Sequence, residues 1–196
     1  MAGFLTPPPP RRLALFLGLL LLTGLGVSWY HRENPFAVGG VLEEPRPFPP
    51  FPTWESGWIG SDPLTTADLE GRVTIVELWT FECINCIRSM PFVHDLHGEL
   101  GDRVRWISVH SPEFASERDP VALRAAIERY RIQDPVFVDS TLELFTALDP
   151  PGWPTFYVVD ASARIRGMWS GEIRPGSRRG KEFEEFVRAM LRDVEG

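Results

Sequence analysis

Val73-Thr-Ile-Val-Glu-Leu-Trp-Thr-Phe-Glu-Cys-Ile-Asn-Cys-Ile-Arg-Ser-Met-Pro91 holds both cysteines of the chain, Cys83 and Cys86, directly after an apolar run. Residues 73 to 79 are apolar or β-branched at nearly every position. That is the pattern of a strand buried on both faces, and so of a central strand in an α/β sheet. Cys83 then falls at the turn where the strand hands over to a helix. The first backbone N–H groups of a helix are unpaired and its dipole favours an anion, so a thiolate is stabilised at Cys83 and less so at Cys86, a turn further in. Such an asymmetry separates a nucleophilic thiol from a resolving one.

Glu77 is a carboxylate inside the apolar strand, where an unpaired charge costs several kcal/mol, so its pKa is expected to rise and make it a candidate proton acceptor for Cys86. Strand alternation puts it on the face of Trp79, under the following helix. Pro91 falls within that helix and removes one of its hydrogen bonds. Plainer readings remain beside these. A zinc site needs about four ligands, and the only nearby candidates, His94 and His97, lie roughly 16 to 20 Å along the helix from Cys83. A structural disulfide across two residues gains little unfolded-state entropy. Glu77 as a satisfied core carboxylate is also open.

The stretch resembles the thioredoxin superfamily, and within it the membrane-tethered TlpA/ResA-like branch with its DipZ-like subgroup. Trp79 stands four residues before Cys83, the acidic residue six before, and Pro91 five after Cys86, as in the family pattern, with Glu77 where Asp is more usual. Trp153-Pro154-Thr-Phe-Tyr-Val-Val-Asp160 matches the family loop in which a cis-proline faces the cysteine pair, with Trp153 in place of a smaller residue. The resemblance covers roughly residues 54 to 194. It implies a thioredoxin-like α/β fold: a mixed central sheet flanked by helices, with an N-terminal extension and a βα insertion over about 112 to 140. It implies catalysis by Cys83, Cys86 and Glu77, and substrate contacts at Trp79, Glu113, Trp153 and Pro154. No metal or cofactor is implied beyond a redox-active Cys83–Cys86 disulfide.

The 196 residues suffice for one domain with appendages. Residues 1 to 12 end in Arg11-Arg12, and Leu13 to Tyr30 follows without a charge. At 1.5 Å per residue those 18 residues span about 27 Å, enough for a transmembrane anchor with the arginines on the cytoplasmic side and Trp29-Tyr30 at the far interface. A cleaved signal peptide is the rival, and both export the domain. Residues 31 to 53 carry too many prolines for a packed element and read as a linker, leaving 54 to 196 as the domain.

After the cysteine helix, Val104 to Val109 reads as a parallel strand whose carboxyl end brings His110-Ser-Pro-Glu-Phe114 to the rim bearing Cys83. Pro120 to Arg131 reads as a surface helix, Pro135 to Val138 as a strand and Leu142 to Leu148 as a short helix. Ala163 to Trp169 reads as an antiparallel strand and Lys181 to Val194 as a closing helix with Phe183, Phe186, Val187 and Leu191 inward.

The net charge of -7 argues against nucleic acid. The absence of a third cysteine suits an oxidising compartment. The expected function is thiol-disulfide exchange on exported, cysteine-containing proteins from the extracytoplasmic side of the inner membrane. The domain is expected to act as a reductant fed by a membrane thiol carrier, in cytochrome c maturation among other uses. Two other readings stand: a thiol peroxidase, because Thr80-x-x-Cys83 echoes the peroxiredoxin motif, and copper delivery through the two thiolates.

Overall fold

The computed structural model describes residues 38–53 and 57–195, and within them the chain joins its sheet earlier than the proline count suggests. Strand β1 (Val38–Pro47) lies inside the segment read as a linker, yet it pairs antiparallel with β7 (Arg164–Ser170). The register shifts between Val41 and Arg46, so Pro45 falls in an irregular stretch of an edge strand. Proline is tolerated there because no ladder hydrogen bond is lost. Gly39 is obligatory at its position: its φ is +112°, and a Cβ would stand 2.0 Å from the Met168 carbonyl oxygen. Beyond the strand, Phe48 and Phe51 are buried in the core. The domain therefore includes residues 38 to 53, and the linker reading fails there. The expected anchor over 13 to 30 lies outside the described residues. Among the described residues, no helix is long and apolar enough to cross a membrane.

Strand β2 (Gly57–Ile59) and a short turn of 3-10 helix at Thr66–Leu69 lead into β3 (Val73–Trp79), buried at every position. Then follow α1 (Ile84–Leu100), β4 (Val104–His110), α2 (Pro120–Arg129), β5 (Val136–Val138), α3 (Glu143–Leu148), β6 (Thr155–Val159), β7 and α4 (Arg178–Glu195). The sheet order is β1-β7-β6-β3-β4-β5-β2. Strand β3 runs parallel to β4 and antiparallel to β6, which makes the sheet mixed with β3 at its centre. The insertion contributes α2 and β5, and β5 extends the sheet in parallel beside β4. Val121, one of its apolar positions, is exposed at the first turn of α2.

Alternation along β3 divides the core. Val73 and Ile75 face α1 and α4, packing with Phe92, Leu96, Phe183 and Val187. Val76 and Leu78 face the opposite layer with Phe48, Phe51, Phe137 and Leu144. The two faces bury enough apolar surface to hold β3 rigid. Glu77 and Trp79 continue the α1 face, so the carboxylate lies under the helix that carries the cysteines. Arg179 from α4 donates to the carbonyls of Val38 (2.6 Å) and Ser170 (2.7 Å), which ties β1 to β7 at one end of the ladder.

Candidate active site

Cys83 is the N-cap of α1: its backbone is extended, and its sulfur accepts from the Cys86 N–H at 3.3 Å. An extended N-cap leaves the first amides of the helix pointing at its side chain. Hydrogen bonding from the Cys86 thiol, together with the backbone N–H groups of Cys86 and Asn85, brings the Cys83 thiol down to about 7; partial burial and the charge of Glu113 work the other way. Cys86 is fully buried, and its thiol is pushed well up, first by burial and then by hydrogen bonding to Cys83. Both cysteines are free thiols. One is half-buried and acidified, the other sealed and weakly acidic, as expected of a nucleophile and its resolver.

Glu77 lies on β3 with only 3% of its surface exposed, and its Oε1 has no hydrogen-bond partner among the described residues. Burial, and secondly the negative charges of Asp134 and Cys83, push its carboxyl up to about 8. It is therefore an unsatisfied core carboxylate, able to exchange a proton near neutral pH. His94 and His97 line the same cavity as Glu77, and His97 Nε2 lies 3.0 Å from Asp134 Oδ1. Among the described residues, no group of three or more His, Cys, Asp or Glu is arranged to hold a metal ion.

The Trp153–Pro154 peptide bond is cis. Trp153 is half-buried, stacks on Phe145 with ring centroids 4.6 Å apart, and packs against the cluster that contains Cys86 and Met90. Pro154 itself is buried, so the surface this loop offers is the Trp153 ring. Glu113 is exposed on the rim, close enough for its charge to act on Cys83. Ile84 (53% exposed), next to Cys83, and Phe114 (51%), next to Glu113, add exposed apolar surface.

Like Pro154, the expected surface residues Trp79 and His110 are not at the surface. Trp79 is fully buried, with its ring against His110 (5.5 Å) and Tyr130 (6.5 Å). It is a wall beneath the site and not a substrate contact. His110 is 1% exposed and stacked on Phe81, so the accessible part of its loop begins at Glu113. Both belong to strand ends that the insertion covers.

The sequence reading missed Glu117. Its carboxylate accepts from the backbone N–H groups of Glu82 (2.9 Å), Glu113 (2.7 Å) and Phe114 (2.9 Å). It thereby fastens the turn before Cys83 to the loop after β4. Its place three residues after Phe114, where a capping-box acid stands, was the available signal. Tyr130, the C-cap of α2, assists by donating its hydroxyl to the Phe81 carbonyl at 3.3 Å.

No family model matches the chain. It is 34% identical over 145 residues to the chloroplastic protein SUPPRESSOR OF QUENCHING 1 of Arabidopsis thaliana, covering 73% of this chain and 13% of that protein. It is 29% identical over 143 residues to DipZ of Mycobacterium tuberculosis, covering 71% of this chain and 20% of that one. The chain thus matches only 13% to 20% of the length of these two relatives. Over 151 residues it is 26% identical to the thiol-disulfide oxidoreductase YkuV of Bacillus subtilis, covering 76% of this chain and 97% of YkuV. Among solved structures, a thioredoxin-like protein in its oxidised form superposes with a TM-score of 0.64 at 26% identity, covering 78% of this chain and 99% of that one.

Proposed function

We propose that this chain, a TlpA/ResA-like member of the thioredoxin superfamily, is a thiol-disulfide oxidoreductase that reduces disulfides of exported proteins from the extracytoplasmic face of the inner membrane. The observation that carries the chemistry is the acidified, half-exposed Cys83 capping a helix above sealed Cys86 and protonatable Glu77. The Cys83 thiolate attacks a partner disulfide, forms a mixed disulfide and releases the first partner thiol. Glu77 then takes the Cys86 proton, and the Cys86 thiolate attacks Cys83 Sγ. This closes the Cys83–Cys86 disulfide and leaves two electrons on the partner's sulfurs. Trp153, Glu113, Ile84 and Phe114 frame the approach, and the Trp153–Pro154 loop aligns the partner backbone.

Thiol acidity supports this direction of electron flow. A strong oxidant of this superfamily holds the pKa of its nucleophile near 3.5, which stabilises the dithiol, whereas the reductant thioredoxin holds it at about 7. Cys83, at about 7, matches the second. Placement outside the cytoplasm is supported by Arg11-Arg12 ahead of the uncharged run from Leu13 to Tyr30. The partners on this reading are exported cysteine-containing proteins, apocytochromes c among them, and a membrane thiol carrier that returns the pair to the dithiol.

Thiol exchange needs brief contact, so affinity comes from the transient covalent bond and not from a large interface. Cys86→Ser, which keeps the nucleophile and removes the resolver, is expected to accumulate disulfide-linked partners on non-reducing gels, at least tenfold over Cys83→Ser. Accumulation by Cys83→Ser in its place reverses the two roles; accumulation by neither overturns thiol exchange.

A further inference from the structure

Each oxidation of the pair by a partner places a proton on Glu77, a residue no partner can touch, and any exchange of that proton with solvent needs a route through the protein. Under α1, away from the cysteine rim, lies a cavity of about 270 Å³ whose walls include Glu77, Ser108, His94, His97, Arg131 and Asp134. At roughly 30 Å³ per molecule it has room for several waters beside the unpartnered Glu77 Oε1. Asp134 stands in the connection from α2 to β5, with 12% of its side chain accessible. His97, 3.0 Å away, has 35% accessible. Burial therefore decreases stepwise from Glu77 through Asp134 to His97 and solvent.

We propose that the Asp134–His97 pair is the outlet for the proton that Glu77 takes from Cys86, which makes both positioning residues for the resolving step. The inference rests on the thiol-exchange reading above. The Cys86 S–H proton passes to the Glu77 carboxylate, and the freed thiolate attacks Cys83 Sγ and expels the partner's thiolate. The proton on Glu77 then moves through cavity water to the Asp134 carboxylate, on to the His97 imidazole, and into bulk, from which the released thiolate is protonated. No other oxidant or reductant enters.

The groups facing this path come from every packed element: Cys83 at the start of α1, His94 and His97 along it, the uncharged Ser108 of β4, and Arg131 and Asp134 after α2. The Asp134 charge adds to burial in holding Glu77 protonated. Burial also raises Asp134, and His97 and His94 offset part of that rise. Both carboxyls are thus held above their ordinary values, Glu77 at about 8.

Reduced full-length protein is mixed with oxidised glutathione, and release of the second glutathione thiol is followed across pH in single turnover. Asp134→Asn is expected to move the Glu77-dependent inflection down by about one pH unit and to slow release about fivefold at neutral pH. Asp134→Glu is expected to restore both. In a Glu77→Gln background the Asp134 substitution should change nothing further. His97→Gln, at the solvent end, provides the same comparison with about threefold slowing if Asp134→Asn does not fold. An unshifted Asp134→Asn profile, or equal slowing with and without Glu77, overturns the outlet alone. Absence of glutathione release by the unaltered protein at every pH overturns thiol exchange and the outlet with it.

Discussion

The strand beneath the cysteine pair and the loop beside it each bury a glutamate, Glu77 at 3% exposure and Glu117 at 1%. Burial alone raises the pKa of both. Glu117 answers with three backbone N–H donors, and with these and the Thr80 side chain beside it its carboxyl ends below the ordinary value of 4.5. Glu77 has no such donors, meets the negative charges of Asp134 and Cys83, and ends near 8. Depth is common to the two; hydrogen-bond donors decide whether a buried acid is a fixed clasp or a proton carrier.

The largest effect that can test this contrast comes from truncating the clasp. Glu117→Ala leaves the amides of Glu82, Glu113 and Phe114 without their acceptor, and at about 1 to 3 kcal/mol for each orphaned group it should cost about 4 kcal/mol in urea unfolding. A loss under about 1 kcal/mol would mean that water serves those amides equally well.

Glu77→Gln should do the reverse, and only at high pH. A carboxyl raised in the folded state contributes its full stability below the unfolded value of 4.5, and that contribution is lost as pH rises toward the folded value of about 8. Glutamine does not titrate. Unfolding measured at pH 5 and pH 9 should show the variant gaining about 2 kcal/mol on the unaltered domain between them, less than the full linkage because the cavity beside Glu77 lets water solvate the carboxylate, while the cost of the unpartnered amide is the same at both pH values. An equal difference at both pH values would contradict a buried, proton-binding Glu77.

Glu117→Gln gives the smallest and most discriminating effect. A carboxylate lowered in the folded state stabilises above its unfolded value and loses that contribution as pH falls through the folded value. The amide keeps one acceptor oxygen, so the expected cost is about 1 kcal/mol at pH 7, shrinking toward zero in acid. A cost that grows as the pH falls would reverse the assignment of Glu117 as an ionised acceptor.

The same pair of residues shows what a sequence can reveal. Glu77, Trp79, Cys83 and Cys86 are contiguous, and one strand-to-helix turn fixes their relation, so the site's centre could be read before any fold was known. Trp153–Pro154 was legible only through its resemblance to a known loop. Glu117 and Asp134 come from the insertion, and their distance from the cysteines depends on how α2 and β5 fold back beside β4, which no local pattern encodes. The segment from 38 to 53 misled for a related reason. Proline density argues against a strand by its local cost, but β1 is an edge strand whose partner lies some 130 residues later, where that cost does not arise.

The sealing of Cys86 behind Cys83 also bears on damage by oxidants. A peroxide reaching the pair meets only Cys83, whose thiolate it converts to a sulfenic acid. The thiol within reach of that sulfur is Cys86, and condensation of the two expels water and forms the disulfide of the ordinary cycle. Over-oxidation to a sulfinic acid, which is not readily reversed, would require a second peroxide to arrive before a neighbour already hydrogen-bonded to the site. The geometry that makes Cys86 a resolver thereby limits each oxidative hit to one lost turnover.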